Sequence, residues 1–219
     1  MRGRYLVPAL LFLIATPVFA VKNHVISFGK TLTVKLFLGP AEDHTMDMRV
    51  RGLYVDGSLK EFTTGETHDV TDRLFVVRKA YRLNDNLPDD TKTPHWKWQR
   101  GAWLMVDRIS GHITSLKLPD FDPFYSAVSW YRDYAAYCGV SDNGGTLYAV
   151  VAEIGRKKPV LHKDLGPANE GDMPDSNCDA PQWERNPSKV TFLPKKSPKV
   201  SYTVFGHATD IANDNDDDQ

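Results

Sequence analysis

Cysteine is scarce in this chain of 219 residues: there are two, Cys138 and Cys178. That excludes a small disulfide-dense scaffold and any cysteine-rich zinc site. Charge of one sign is also missing. Lys and Arg number 27, Asp and Glu 28, for a formal net charge of −1, which argues against a nucleic-acid partner held by phosphate neutralisation. The seven histidines are scattered, and none stands two or four residues from another, so no local metal-binding pair exists. H-E-x-x-H, the P-loop and G-x-G-x-x-G are all absent, and with them the usual local signatures of zinc proteolysis, NTP binding and dinucleotide binding. The nearest approach to a nucleophile elbow, Gly139-Val140-Ser141-Asp142-Asn143, has asparagine where the motif needs glycine, and it lies in a hairpin context.

The long apolar run is confined to the start of the chain. Arg2 and Arg4 precede an apolar stretch from Leu6 to Thr16, followed by the small-residue site Val18-Phe19-Ala20. This is the pattern of a signal peptide over residues 1–20, and the stretch is short for a membrane span. No later stretch is long and apolar enough to cross a bilayer. The expectation is a protein that is secreted or periplasmic, in a compartment where two cysteines pair. A Cys138–Cys178 bridge closes a loop that the chain-entropy relation values at about 4 kcal/mol.

With 41% hydrophobic residues a sizeable core is available, and residues 21–207 read as a single β domain. Leu32, Val34, Leu36 and Leu38 alternate with Thr31, Thr33, Lys35 and Phe37, the period of a half-buried strand. Asp56-Gly57 and Ser110-Gly111 each stand between strand-like runs, as hairpin turns require. Thr63 to Asp72 reads as a polar loop, Leu74 to Leu83 as a strand that turns basic, and Asn84 to Pro94 as a loop. Trp98 to Ile109, with Trp103 and Met105 on one face and Leu104 and Val106 on the other, reads as a strand covered on both sides. Strands are also expected at Ala127 to Tyr131, Tyr134 to Val140, Leu147 to Ile154 and Pro159 to Leu165. For the first two a helical spacing competes, and Gly139 with the aromatic content favours the sheet. Gly166 to Pro187 reads as a long connection, Ser188 to Leu193 and Lys199 to Phe205 as a last strand pair, and residues 208–219 as a disordered acidic tail.

Ser129 to Gly166 resembles one blade of a β-propeller of the broad TolB or WD40-like kind. Trp130, the turn Ser141-Asp142-Asn143-Gly144, the apolar strand Leu147 to Ile154 and the closing Gly166 carry the resemblance. Gly101-Ala102-Trp103-Leu104-Met105-Val106 echoes Gly145-Thr146-Leu147-Tyr148-Ala149-Val150 one blade-length earlier, and repeats of 40–50 residues suggest propellers or solenoids. The resemblance implies all-β, antiparallel, blade-like sheets; a β-sandwich is the alternative. The whole chain also looks like uncharacterised exported bacterial proteins, a likeness that implies no activity.

Candidate site residues fall into three groups. Trp96 and Trp98 alternate with His95, Lys97 and Gln99 just after the proline loop, so they share one strand face near a rim. Aromatics there suit a protein or carbohydrate ligand. Asp120, Asp122 and Asp133 are the carboxylates to consider for hydrolysis of a polymer. No cofactor is called for, although the oxygen-rich loops at Asn84, Asp85, Asn86, Asp89 and Asp90 and at Asp120 and Asp122 suit Ca²⁺. His68, Asp69 and Asp72 would join a metal site only with distant ligands. The leading expectation is a secreted, non-catalytic binding or protein-interaction module. The alternatives are a hydrolase of an extracellular polymer and a structural module that completes a larger β assembly.

Overall fold

The first strands show how alternation becomes architecture. In a computed structural model, which describes residues 23–38, 45–84, 96–168, 177–185 and 188–204, β1 (Ile26–Phe28) and β2 (Leu32–Phe37) run in succession along one edge of β3 (Thr45–Val55). Gly29 separates them, yet its N–H still donates to the Gly52 carbonyl at 2.8 Å. Leu36 and Leu38 are buried as the alternation requires and Val34 is half-buried, but Leu32, at the start of the strand, is 53% exposed. Asp56-Gly57 makes the turn into β4 (Ser58–Asp69), and both residues take positive φ, 50° and 76°, as a two-residue hairpin turn of this kind needs.

β4 corrects one expectation. Thr63 to Asp72 reads as a loop, but the strand continues through Asp69, with a register shift between Thr63 and Thr67 against β5 (Leu74–Asn84). The β-branched threonines favour an extended backbone, and Gly65, at φ 80°, absorbs the extra residue as a bulge does. β5 then pairs with β6 (Trp96–Asp107) from Leu74↔Asp107 to Asn84↔Trp96. β6 meets β2 in parallel at Leu36↔Trp98. The five strands β2 to β6 therefore pair in a ring. A meander of an odd number of strands brings its first and last strands together in the same direction, so the closing pair is parallel while every other pair in the ring is antiparallel. Leu53, Phe75, Val77, Leu104 and Val106 fill one end of the interior; Leu36, Leu38, Met48, Val50 and Ala80 fill the other. A short β7 (Ile113–Ser115) pairs with the far half of β6 beyond the Ser110-Gly111 turn.

β8 (Val128–Tyr131), β9 (Tyr134–Val140), β10 (Thr146–Glu153) and β11 (Leu161–Pro167) form a second sheet in strict up-and-down order. This is the strand order of the four-stranded unit anticipated at Ser129 to Gly166. The upstream echo at Gly101 to Val106 lies in β6, in the other sheet. The third sheet consists of β12 (Cys178–Glu184), β13 (Lys189–Pro194) and β14 (Val200–Thr203). β12 is a second correction, because it lies inside the stretch read as a connection. Two constraints hold it there: the Cys138–Cys178 disulfide, and the Trp183 indole N–H donating to the Ser129 carbonyl at 3.2 Å.

The described residues are thus all-β and mainly antiparallel, and the four-stranded sheet lies between the other two. One of its faces, with Ala136, Cys138, Ala149 and Val151, packs on Val190 and Phe192 of the third sheet. Through Val128, Trp130 and Ile154 it meets Val76, Trp103 and Met105 of the first sheet. Strands with two apolar faces are covered on both, as read for β6 and β10. Residues 1–20 and 208–219, and Asp85, Asn86, Asp89 and Asp90, lie outside the described residues.

Candidate functional site

Aromatic residues are dense from Trp96 to Tyr137; Trp103, Tyr134 and Tyr137 are buried, and the others except Trp96 are half-buried. The Trp103 and Trp130 rings meet edge to face at 5.2 Å, and His68 stacks on Trp130 at 5.8 Å. A ring nitrogen of His68 is 2.7 Å from the Arg132 carbonyl. His68 therefore ties β4 to the β8–β9 hairpin, while the neighbouring Asp69 accepts from Arg108 at 2.6 Å. Among the described residues no group of three or more His, Cys, Asp or Glu side chains is placed to hold a metal ion.

The carboxylate candidates each have a place in the framework. Asp122 accepts the amides of Phe124 and Tyr125 at 2.7 and 3.1 Å on one carboxylate oxygen, a side-chain turn that Asp favours. Its own amide donates to Ser126 Oγ, and that hydroxyl donates to the Cys138 carbonyl at 2.8 Å. Arg78 donates to the Pro123 carbonyl, and Arg100 to the Phe124 carbonyl at 3.1 Å. The turn from Pro119 to Ser126 is thereby fastened between the ring of strands and the middle sheet. Asp120 takes φ 52°, accepts Val140 N–H on its carbonyl at 3.0 Å, and pairs with His162 at 2.9 Å. A Cβ on Gly139 would sit 3.0 Å from Asp120 Cβ, so the approach depends on glycine there. Asp133 is buried at the β8–β9 turn, where its carbonyl accepts Ile154 N–H at 2.9 Å.

These placements separate Asp120 from Asp133. Asp120 adjoins Val140, the last residue of β9, and Asp133 immediately precedes Tyr134, its first. A seven-residue strand keeps them about 20 Å apart, beyond the roughly 5–9.5 Å of glycosidase pairs. Ser141 is occupied in its own turn, donating to Asn143 at 2.6 Å and accepting Thr146 N–H at 2.9 Å. Beside Asp120, the Tyr137 hydroxyl donates to the Pro119 carbonyl at 2.5 Å. Burial, with a smaller contribution from the Asp120 charge, pushes that hydroxyl well above the usual tyrosine range.

The tryptophan pair divides. Trp98 packs edge to face on Phe62 at 5.3 Å and closes one end of the ring interior. Trp96, two residues nearer the ladder end on the same face, is 50% exposed. The Arg82 guanidinium lies over both rings, 4.9 Å from Trp96 and 6.0 Å from Trp98, placed there by the cross-strand register Arg82↔Trp98. On the opposite face of the same ladder, Tyr81 and Leu83 are 36% and 52% exposed. The β4–β5 register stops at Phe62↔Ala80, so the Tyr81–Asn84 end of β5 runs past it with β6 as its partner. Sequence reading picked out Trp96 and Trp98 but missed Arg82, Tyr81 and Leu83. Their signal was the change of β5 from apolar to basic opposite a tryptophan pair. Compared with protein families, curated proteins and solved structures, the chain matches none.

Proposed function

We propose that this is an exported, non-catalytic protein-interaction module, and that it engages its partner through the β5–β6 ladder end. The observation that carries the reading is Trp96, half exposed under Arg82, with Tyr81 and Leu83 open on the other face. Trp, Tyr and Arg dominate the energetics of protein interfaces. Apolar side chains on both faces of one ladder suit a protein that wraps the end better than a sugar, which stacks on one ring. The signal-like residues 1–20 and the Cys138–Cys178 bridge support a location outside the cytoplasm. The carboxylates weigh against the hydrolase alternative, since Asp122 serves the backbone and Asp120 and Asp133 stand at opposite ends of β9.

A photo-crosslinking residue at position 96 or 83, in cells that produce the protein, tests this. One discrete protein adduct shared by both positions, and absent when the crosslinker replaces Asn143 in the β9–β10 turn of the middle sheet, is the expected result. Adducts of equal yield at all three positions, or none at 96 and 83, refute it. Retention of the wild type but not Trp96→Ala on insoluble polysaccharide, without a protein adduct, would favour a carbohydrate ligand instead.

A further inference from the structure

A cleft of ≈ 680 Å³ opens not at the ladder end but at the seam between the first and middle sheets. Met105 of β6, Leu116 and Leu118 form one wall, and Ile154, just past β10, forms the other. All four are half-buried, so the interlayer core surfaces here as an apolar floor open to solvent. Leaving such a floor wet is unfavourable in proportion to its area, and its volume lies within the range of small-molecule sites.

The rim has one sign. Lys117 and Lys157 are exposed at the mouth, and neither pairs with a carboxylate among the described residues. The one carboxylate in the lining, Glu153, is held by Arg156 at 2.8 Å. An apolar floor under two uncompensated cations complements a ligand with an apolar body and a single negative head. We infer that this seam cleft is a second binding site, taking a small anionic amphiphile such as a medium-chain alkyl carboxylate. The chain lies against Met105, Leu116, Leu118 and Ile154, and the carboxylate lies between Lys117 and Lys157. The inference does not depend on the ladder end being an interface.

Titration of the purified, disulfide-intact chain with decanoate below its micelle concentration tests it, read by calorimetry and by fluorescence, since Trp103 and Trp130 belong to the same interlayer cluster. Saturable binding of one equivalent is expected. 1-Decanol should bind at least about tenfold more weakly, and acetate should not compete at the same concentrations. Lys117→Glu with Lys157→Glu, both at the surface, should weaken decanoate at least about tenfold while the melting temperature holds. Trp96→Ala should leave decanoate binding unchanged. Absence of saturable binding, equal affinity for decanol, or affinity indifferent to the double charge reversal would each overturn the assignment.

Discussion

At the scale of single residues, two ionisable side chains link pH to stability with opposite signs. Tyr137 is fully buried, donates to Pro119, and has its hydroxyl pKa raised by burial and by Asp120. A raised folded-state value favours the protonated form, so the stabilisation is complete below the unfolded tyrosine value, about 10, and is lost as pH rises past it. Tyr137→Phe should cost about 1 kcal/mol at neutral pH through the lost hydrogen bond. It should also flatten the alkaline fall of the urea midpoint; an alkaline limb as steep as the wild type's would contradict this. Asp107 is the reverse case. Its two carboxylate oxygens accept from Arg73 Nε at 3.0 Å each, and one of them also accepts the Ile109 and Ser110 amides at 2.8 and 3.2 Å. The Arg73 hydrogen bond is the largest cause holding it well below the usual carboxylate range. Its contribution is present above the unfolded value, about 3.9, and disappears as pH falls below it. Asp107→Asn should therefore melt below the wild type at pH 7, and the gap should close in acid.

At the scale of elements, the sequence was legible where alternation or turn chemistry was strong. β2 and the Asp56-Gly57 hairpin follow from alternation and from residues that accept positive φ, whereas β8 to β11 follow from short apolar runs between turn residues, with β9 buried along nearly its whole length. The strand reading of Tyr134 to Val140 over a helical one is borne out. Two strands were hidden. The second half of β4 is polar on its surface and interrupted by the Gly65 bulge, and its one fully buried side chain, Thr63, is itself polar. β12 carries Asp179, Ala180 and Pro181, poor strand formers held extended by pairing with β13 and by the disulfide. The expected Cys138–Cys178 bridge is present, with both residues buried and their Cα atoms 6.2 Å apart. Replacing both cysteines by serine should lower the unfolding free energy by about 3–4 kcal/mol. Urea denaturation checks this, and a loss under about 1 kcal/mol would mean the third sheet docks without its tether.

At the scale of the whole molecule, several tryptophans serve as mortar between layers. Trp103 and Trp130 join the first sheet to the middle one, and Trp183 joins the middle sheet to the third through Ser129 and Tyr131. That division was only half legible. Sequence shows which strands have two apolar faces, but not the parallel β2–β6 closure or which sheet covers which face, because those depend on partners distant along the chain. The same ignorance made the Asp120 to Asp133 region look like a candidate catalytic centre. Its separation by the length of β9 appears only once the strands are paired.

Trp96 is exposed at the ladder end, whereas Trp103 and Trp130 pack between the first and middle sheets. Brief oxidative labelling of the purified protein, read tryptophan by tryptophan by mass spectrometry, tests it most directly. Trp96 should be modified at least about tenfold faster than Trp103, because local openings that expose core side chains are rare. Equal rates at Trp96 and Trp103 would mean that Trp96 is no more open to solvent than the interlayer core, and would remove the ladder end as a contact surface.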